Sequence, residues 1–187
     1  VATNEKIGLT FGGSLRSILR QDPDKILIGE IRDQETSDIA IKFALTGHLV
    51  FTTLHANDAS STITRLLDIG VPRYLVGSTL NLVMAQRLVR ALCSACKEEY
   101  SPDKALAERL KIDYSRLADR KMYKARGCVR CRNTGYFGRT GLFELLEIKL
   151  PIRKMIYDVN KDQDDIRFAA IDQGMVTLRE AGIMKAL

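Results

Sequence analysis

Glu30, His48, His55 and four cysteines are the residues whose types and spacing could do chemistry in this chain. Glu30 comes directly after Ile26-Leu27-Ile28-Gly29, an apolar run without polar alternation. Such a run, opened by the turn residues Asp22-Pro23-Asp24, predicts a short strand buried on both faces, as in a parallel sheet. Ligands of open α/β sheets sit at the carboxyl ends of the strands, and a carboxylate delivered there can hold Mg²⁺ or orient an attacking water. The plain alternative is a buried strand ending in a surface cluster of Glu30, Arg32 and Asp33. The two histidines flank a second β-rich run, His48 before Leu49–Leu54 and His55 after it. An imidazole at that sheet edge can hydrogen-bond a γ-phosphate or its attacking water and so sense the phosphate. Thr52 and Thr53 are the neighbouring polar positions. A capping histidine is the competing reading, above all for His48, which follows Gly47.

Cys93-Ser94-Ala95-Cys96 and Cys128-Val129-Arg130-Cys131 are two Cys-x-x-Cys knuckles. Four thiolates so arranged can surround one Zn²⁺ tetrahedrally with Zn–S near ~2.3 Å, and a closed four-sulfur shell is structural rather than catalytic. A redox pair or simple buried thiols are the alternatives. Tight pairs of this kind do not have the look of a secreted disulfide framework.

The elements that must position these groups read as a βαβ unit followed by helices. Phe11, Leu15, Ile18 and Leu19 repeat at helical spacing, with Thr10 as N-cap. Gly29 is expected to let the backbone pass close to something. Asp33 caps a helix whose inward face carries Ile39, Phe43 and Ala44, and Gly47 ends it. The strand at Leu49–Leu54 then lies parallel to the first. Asn57 or Asp58 caps the next helix, with Ile63, Leu66 and Leu67 buried and Gly70-Val71-Pro72 closing it. The pattern predicts a longer helix from about Tyr74 to Leu92, apolar through Leu75, Leu80, Leu82, Val83 and Leu88. Beyond the cysteines, a strand is expected at Thr140–Ile148 and then helices with Ile152, Met155, Ile156, Ile166, Ala169 and Ile171 as core.

With 187 residues and 45% hydrophobic content, the chain can bury a real core and is not a disordered segment. No apolar run reaches membrane-spanning length, which points to a soluble cytoplasmic protein. A net charge of +6 invites a polyanionic partner. Arg120, Lys121, Lys124, Arg126, Arg130, Arg132 and Arg139 gather around the second knuckle with Asp119 as their acidic neighbour. A zinc ribbon with such flanks can bind nucleic acid electrostatically, but its stacking candidates are few: Tyr123, Tyr136 and Phe137. A solvated face, a protein-docking face or contact with acidic lipid is favoured over nucleic acid. The sequence contains no Gly-x-x-x-x-Gly-Lys-Ser/Thr phosphate loop.

Residues 19–33 resemble the Walker B stretch of the ATPases that drive type II secretion and type IV pilus assembly, and Thr46-Gly47-His48 through Asp58-Ala59 resemble that family's histidine box. The resemblance runs from about Gly8 to Leu187. It implies a partial RecA-like α/β P-loop ATPase core over residues 1–92, a zinc-binding insert over 93–131, and a strand plus helical C-terminal subdomain over 132–187. It assigns Glu30 to the magnesium and water side of ATP hydrolysis, His48 and His55 to sensing and coupling beside Thr52 and Thr53, and, through the stretch Thr134–Gly141, Arg139 to the nucleotide. It further implies a homo-hexamer working with ATP and Mg²⁺ and docking on an inner-membrane platform protein, and a chain that is the C-terminal part of a longer motor with its phosphate loop upstream. A four-cysteine insert resembles the assembly and export branch more than the retraction branch. Two rivals remain at this stage: a DNA-uptake or conjugation ATPase of the same superfamily, and a zinc-ribbon module that binds nucleic acid.

Overall fold

A computed structural model describes residues 13–14, 17–18, 21, 23–118 and 120–187. The helix expected around Phe11, Leu15 and Leu19, with its Thr10 cap, lies outside the described residues except at Ile18. Two compact units are present, one of residues 1–85 and 145–175, the other of residues 86–144 and 176–187.

The first unit opens with the expected parallel βαβ. Strand β1 (Lys25–Ile28) pairs in parallel with β2 (Leu49–Thr52), Ile26 opposite Val50 and Ile28 opposite Thr52. Helix α1 (Gln34–Leu45) crosses between them. Its start is fixed by Asp33, whose carboxylate accepts the Thr36 N–H at 2.8 Å, and it gives way to Gly47 at φ +94°, the left-handed conformation glycine adopts most readily. Ile39, Ala40 and Phe43 of α1 pack on Ile26, Ile28 and Ile31 to make one small core.

Only one face of the pair is covered. Leu27 is 77% exposed and Phe51, its partner across the ladder, 52%, so the strand is not buried on both faces as its apolar run suggests. Among the described residues this sheet has two strands, and α1 can cover only one side of it. Gly29 also departs from expectation, because a Cβ there would meet no protein atom within 4 Å.

Helix α2 (Ala59–Asp68) starts at a capping box in which Asp58 accepts from Ser61 N–H, and α3 (Arg73–Thr79) follows the turn at Gly70-Val71-Pro72. The long helix expected to reach Leu92 stops at Thr79. Leu80 is extended at ψ 127°, and residues Leu82–Leu92 form strand β3 instead. Its hydrogen-bonded neighbour is β6 (Tyr136–Glu147), and that distant partner supplies the backbone bonds that override the helix-like leucine spacing. Ile148 N–H donates to Asn81 O and Cys93 N–H to Gly135 O, both at 2.9 Å, so the two strands run antiparallel. Helices α5 (Leu150–Tyr157) and α6 (Gln163–Asp172) complete the main core, in which Ile63, Val76, Leu146, Ile152, Ile156 and Ile166 are buried. Ile171, expected inside, is exposed, and Ala170 takes the inward position.

In the second unit, the ends of β3 and β6 carry the cysteines. Strands β4 (Glu98–Tyr100) and β5 (Met122–Lys124) pair antiparallel, and helix α4 (Lys104–Leu110) lies between them in sequence. The terminal helix α7 (Leu178–Ala186) belongs to this unit as well, held by the buried Glu144 carboxylate accepting Leu178 N–H at 2.9 Å. Ala107, Leu117 and Met122 form its core, with Leu187 packed against them.

Candidate functional site

Glu30 lies just past β1, after Gly29, at the carboxyl end of the parallel pair, and the chain leaving β2 brings His55 to the same end. His55 Nε2 lies 3.0 Å from Glu30 Oε2. Two backbone links set that approach. Ile31 N–H donates to Thr53 O at 3.0 Å, and Thr53 Oγ1 donates to Gly29 O at 2.6 Å, so the two chains stay joined past the last residues of the ladder. Thr52 sits opposite Ile28, half-buried, with its hydroxyl 3.5 Å from Thr53 O.

The second partner of Glu30 is Arg32, which ion-pairs with Oε1. Asp33 caps α1, whereas Arg32 turns to Glu30. The signal was present in the spacing: side chains two apart on extended backbone leave on the same side. Arg32, with His55 after it, holds the Glu30 carboxyl below its ordinary range, and Glu30 in turn raises the Arg32 guanidinium.

His48 is not brought to this cluster. It stands at the start of β2, at the other end of the strand from His55, where its Nδ1 lies 2.8 Å from Thr46 Oγ1 and 3.2 Å from Phe43 O. Its ring meets that of Phe43 edge-on, with centroids 5.6 Å apart. Arg139 is exposed on β6, in the second unit.

The four cysteines do meet. Their sulfurs all lie within 4.8 Å of one another, with Cys93–Cys128 at 4.0 Å and Cys96–Cys131 and Cys128–Cys131 at 3.8 Å. Zn–S bonds of about 2.3 Å at tetrahedral angles place sulfurs about 3.8 Å apart. The same separations are far beyond the ~2.05 Å of a disulfide. The antiparallel pairing of β3 with β6 causes the convergence, since one knuckle follows β3 and the other precedes β6. Cys128 N–H and Gly135 N–H each point at Cys131 Sγ at 3.2 Å. Burial opposes ionisation of Cys131, but those N–H donors and the adjoining thiols hold it down to about 6. Burial and the three other thiols push Cys96 up to about 12. The sulfur separations fit a structural zinc, with the two amides supporting charge on Cys131.

The basic residues near the second knuckle face more acid than their own stretch suggests. Across the β4–β5 pair, Lys121 bonds Glu99 at 2.9 Å, while Arg126 and Lys124 reach Glu98 at 3.3 and 3.9 Å. The aromatic rings that could stack on bases already carry cations: Lys97 over Tyr123, Arg90 over Tyr136 and Arg130 over Phe137. Nucleic-acid binding is not favoured. No helix among the described residues is long and apolar enough to cross a membrane.

The mixed α/β fold has counterparts among solved structures. The Legionella pneumophila ATPase DotB matches with a TM-score of 0.60 at 23% identity, over 94% of this chain and 38% of that one, a likeness of fold. The pilus retraction motor PilT with bound ADP matches with a TM-score of 0.53 at 28% identity, over 95% of this chain and 43% of that one. The chain belongs to the family described as Type II/IV secretion system protein, whose pattern it matches over residues 1–187. Among its relatives, the type IV pilus assembly ATPase PilB of Thermus thermophilus is 47% identical over 98% of this chain. The type II secretion system protein E of Pseudomonas aeruginosa is 47% identical over 89% of it. The chain spans 21% and 33% of the lengths of those two proteins.

Proposed function

We propose that this chain supplies the hydrolytic carboxylate of a motor ATPase that powers type II secretion or type IV pilus assembly. The Glu30–His55 contact at the carboxyl end of the parallel strands carries the reading. Glu30 orients the water that attacks ATP, whose charge Mg²⁺ would neutralise, and His55, exposed beside it, couples the state of the phosphate to the chain after β2. Thr53 holds the two loops in register for that contact, and Thr52 adjoins it. His48 serves the same strand from its far end by tying it to α1. Arg139 is kept as a nucleotide contact on the family resemblance of Thr134–Gly141.

The relatives' names support ATP hydrolysis for the whole protein, and the preference for assembly over retraction follows the four-cysteine cluster and the relatives named above. Cys93, Cys96, Cys128 and Cys131 would hold Zn²⁺, which would supply a rigid crosslink between the two knuckles and no hydrolytic chemistry. In this reading residues 1–92 belong to a RecA-like core, residues 93–131 form the zinc insert and residues 132–187 the C-terminal part, whose helices α5 and α6 pack into the main core. The whole protein works as a hexamer in the cytoplasm, docked on an inner-membrane platform protein with the basic surface near acidic lipid. Steady-state ATP turnover by the full-length protein tests the assignment: His55→Ala lowers turnover while ATP binding persists, and full activity in that variant contradicts it.

A further inference from the structure

We propose that Arg32 is a positioning residue for Glu30: its guanidinium and the His55 imidazole hold opposite oxygens of one carboxylate. The inference rests on the hydrolytic role given to Glu30 above.

Ile31 is buried and its N–H is bonded to Thr53 O, which anchors the peptide between Glu30 and Arg32. With Ile31 directed inward, its two neighbours emerge together on the opposite side. Arg32 then takes Oε1 and His55 takes Oε2. A glutamate just past the end of a strand would otherwise rotate about three side-chain torsions, and a guanidinium and an imidazole on opposite oxygens fix both the position and the plane of its carboxyl group. Shielding follows from the same arrangement, since the Glu30 side chain is 27% exposed while those of Arg32 and His55 are 74% and 89% exposed.

Holding the group does not block it. An ionised carboxylate offers about four lone-pair sites, so each oxygen keeps one for a water or a metal-bound ligand. The contact with Arg32 is an ion pair of Nη2 with Oε1, so a lysine that keeps charge and reach is the conservative replacement. An exposed ion pair adds little to stability, which separates a positioning role from a structural one.

The test uses the full-length protein with Arg32→Ala, Arg32→Lys and, as reference, Glu30→Gln. Misplacing a catalytic group by about 1 Å can cost roughly 10²-fold in rate, so Arg32→Ala is expected to lower kcat by at least about tenfold. KM for ATP and the melting temperature stay near wild type, and Arg32→Lys recovers much of the loss. Wild-type kcat in Arg32→Ala beside an inactive Glu30→Gln overturns the role of Arg32 alone. A parallel fall of kcat, ATP affinity and melting temperature without rescue by lysine makes Arg32 structural and also overturns it. An active Glu30→Gln overturns the reading of Glu30 on which the inference rests.

Discussion

His55 Nε2 lies 3.0 Å from Glu30 Oε2 although the two residues leave different strands, and Thr53 is what makes the meeting reproducible. Its hydroxyl on Gly29 O and its carbonyl on Ile31 N–H flank Glu30 on either side in sequence. The carboxylate is thus fixed at its backbone by β2 and at its tip by side chains from both segments.

The Glu30 carboxyl titrates below an ordinary glutamate because Arg32 bonds and attracts its charged form, with His55 adding to the effect. A depressed folded-state pKa means that this contribution is present above the unfolded value and is lost as pH falls through the folded one. Carbon-13 NMR of the side-chain carboxyl is expected to show the depressed midpoint, moving upward in Arg32→Ala. An unchanged midpoint in that variant would show that Arg32 does not act on Glu30 in solution.

Asp58 closes the capping box of α2 by accepting Ser61 N–H at 2.8 Å, with Ser60 Oγ on the same oxygen at 3.1 Å. Replacing such a cap by alanine costs about 0.5–2 kcal/mol. Urea unfolding of Asp58→Ala should show a loss of this size, and a loss below the lower bound would mean that the cap contributes little here.

One zinc per chain is expected, with four sulfurs near ~2.3 Å by X-ray absorption. Removing it by chelation should loosen residues 86–144, seen as faster amide exchange around Gly127 and Gly135. Two disulfides under non-reducing mass spectrometry, or a metal shell containing nitrogen or oxygen ligands, would refute the four-sulfur assignment.

Gly135 carries φ +76°, and a Cβ there would stand 2.5 Å from Ala125 Cβ. Its N–H also serves Cys131 Sγ. Gly135→Ala should therefore weaken zinc retention at least about tenfold in competition with a chromogenic chelator, the lower edge of what loss of a ligand's supporting bond costs. Retention equal to wild type would show that the knuckle adapts.

Much of the site could be read from the sequence because its signals are local. Asp33 and Gly47 bracket α1, the apolar run before Glu30 marks β1, and the doubled Cys-x-x-Cys spacing announces the cluster that the fold assembles. What escaped is non-local. Leu82–Leu92 has leucines at helical spacing, and only its pairing with Tyr136–Glu147 makes it a strand. Glu98 and Glu99 neutralise lysines and an arginine more than 20 residues away because β4 and β5 pair across that distance. The bare face of Leu27 and Phe51 could not be anticipated either, since an unbroken apolar run reads the same whether one side or both are covered.

The proposed action of Glu30 on water at bound ATP is measured directly by turnover and ATP affinity of the full-length protein in wild type and Glu30→Gln. Glu30→Gln is expected to bind ATP with near-wild-type affinity and turn it over at least about 10²-fold more slowly, the lower range for loss of a positioned general base. Wild-type turnover in that variant, or loss of ATP binding in place of turnover, would contradict it.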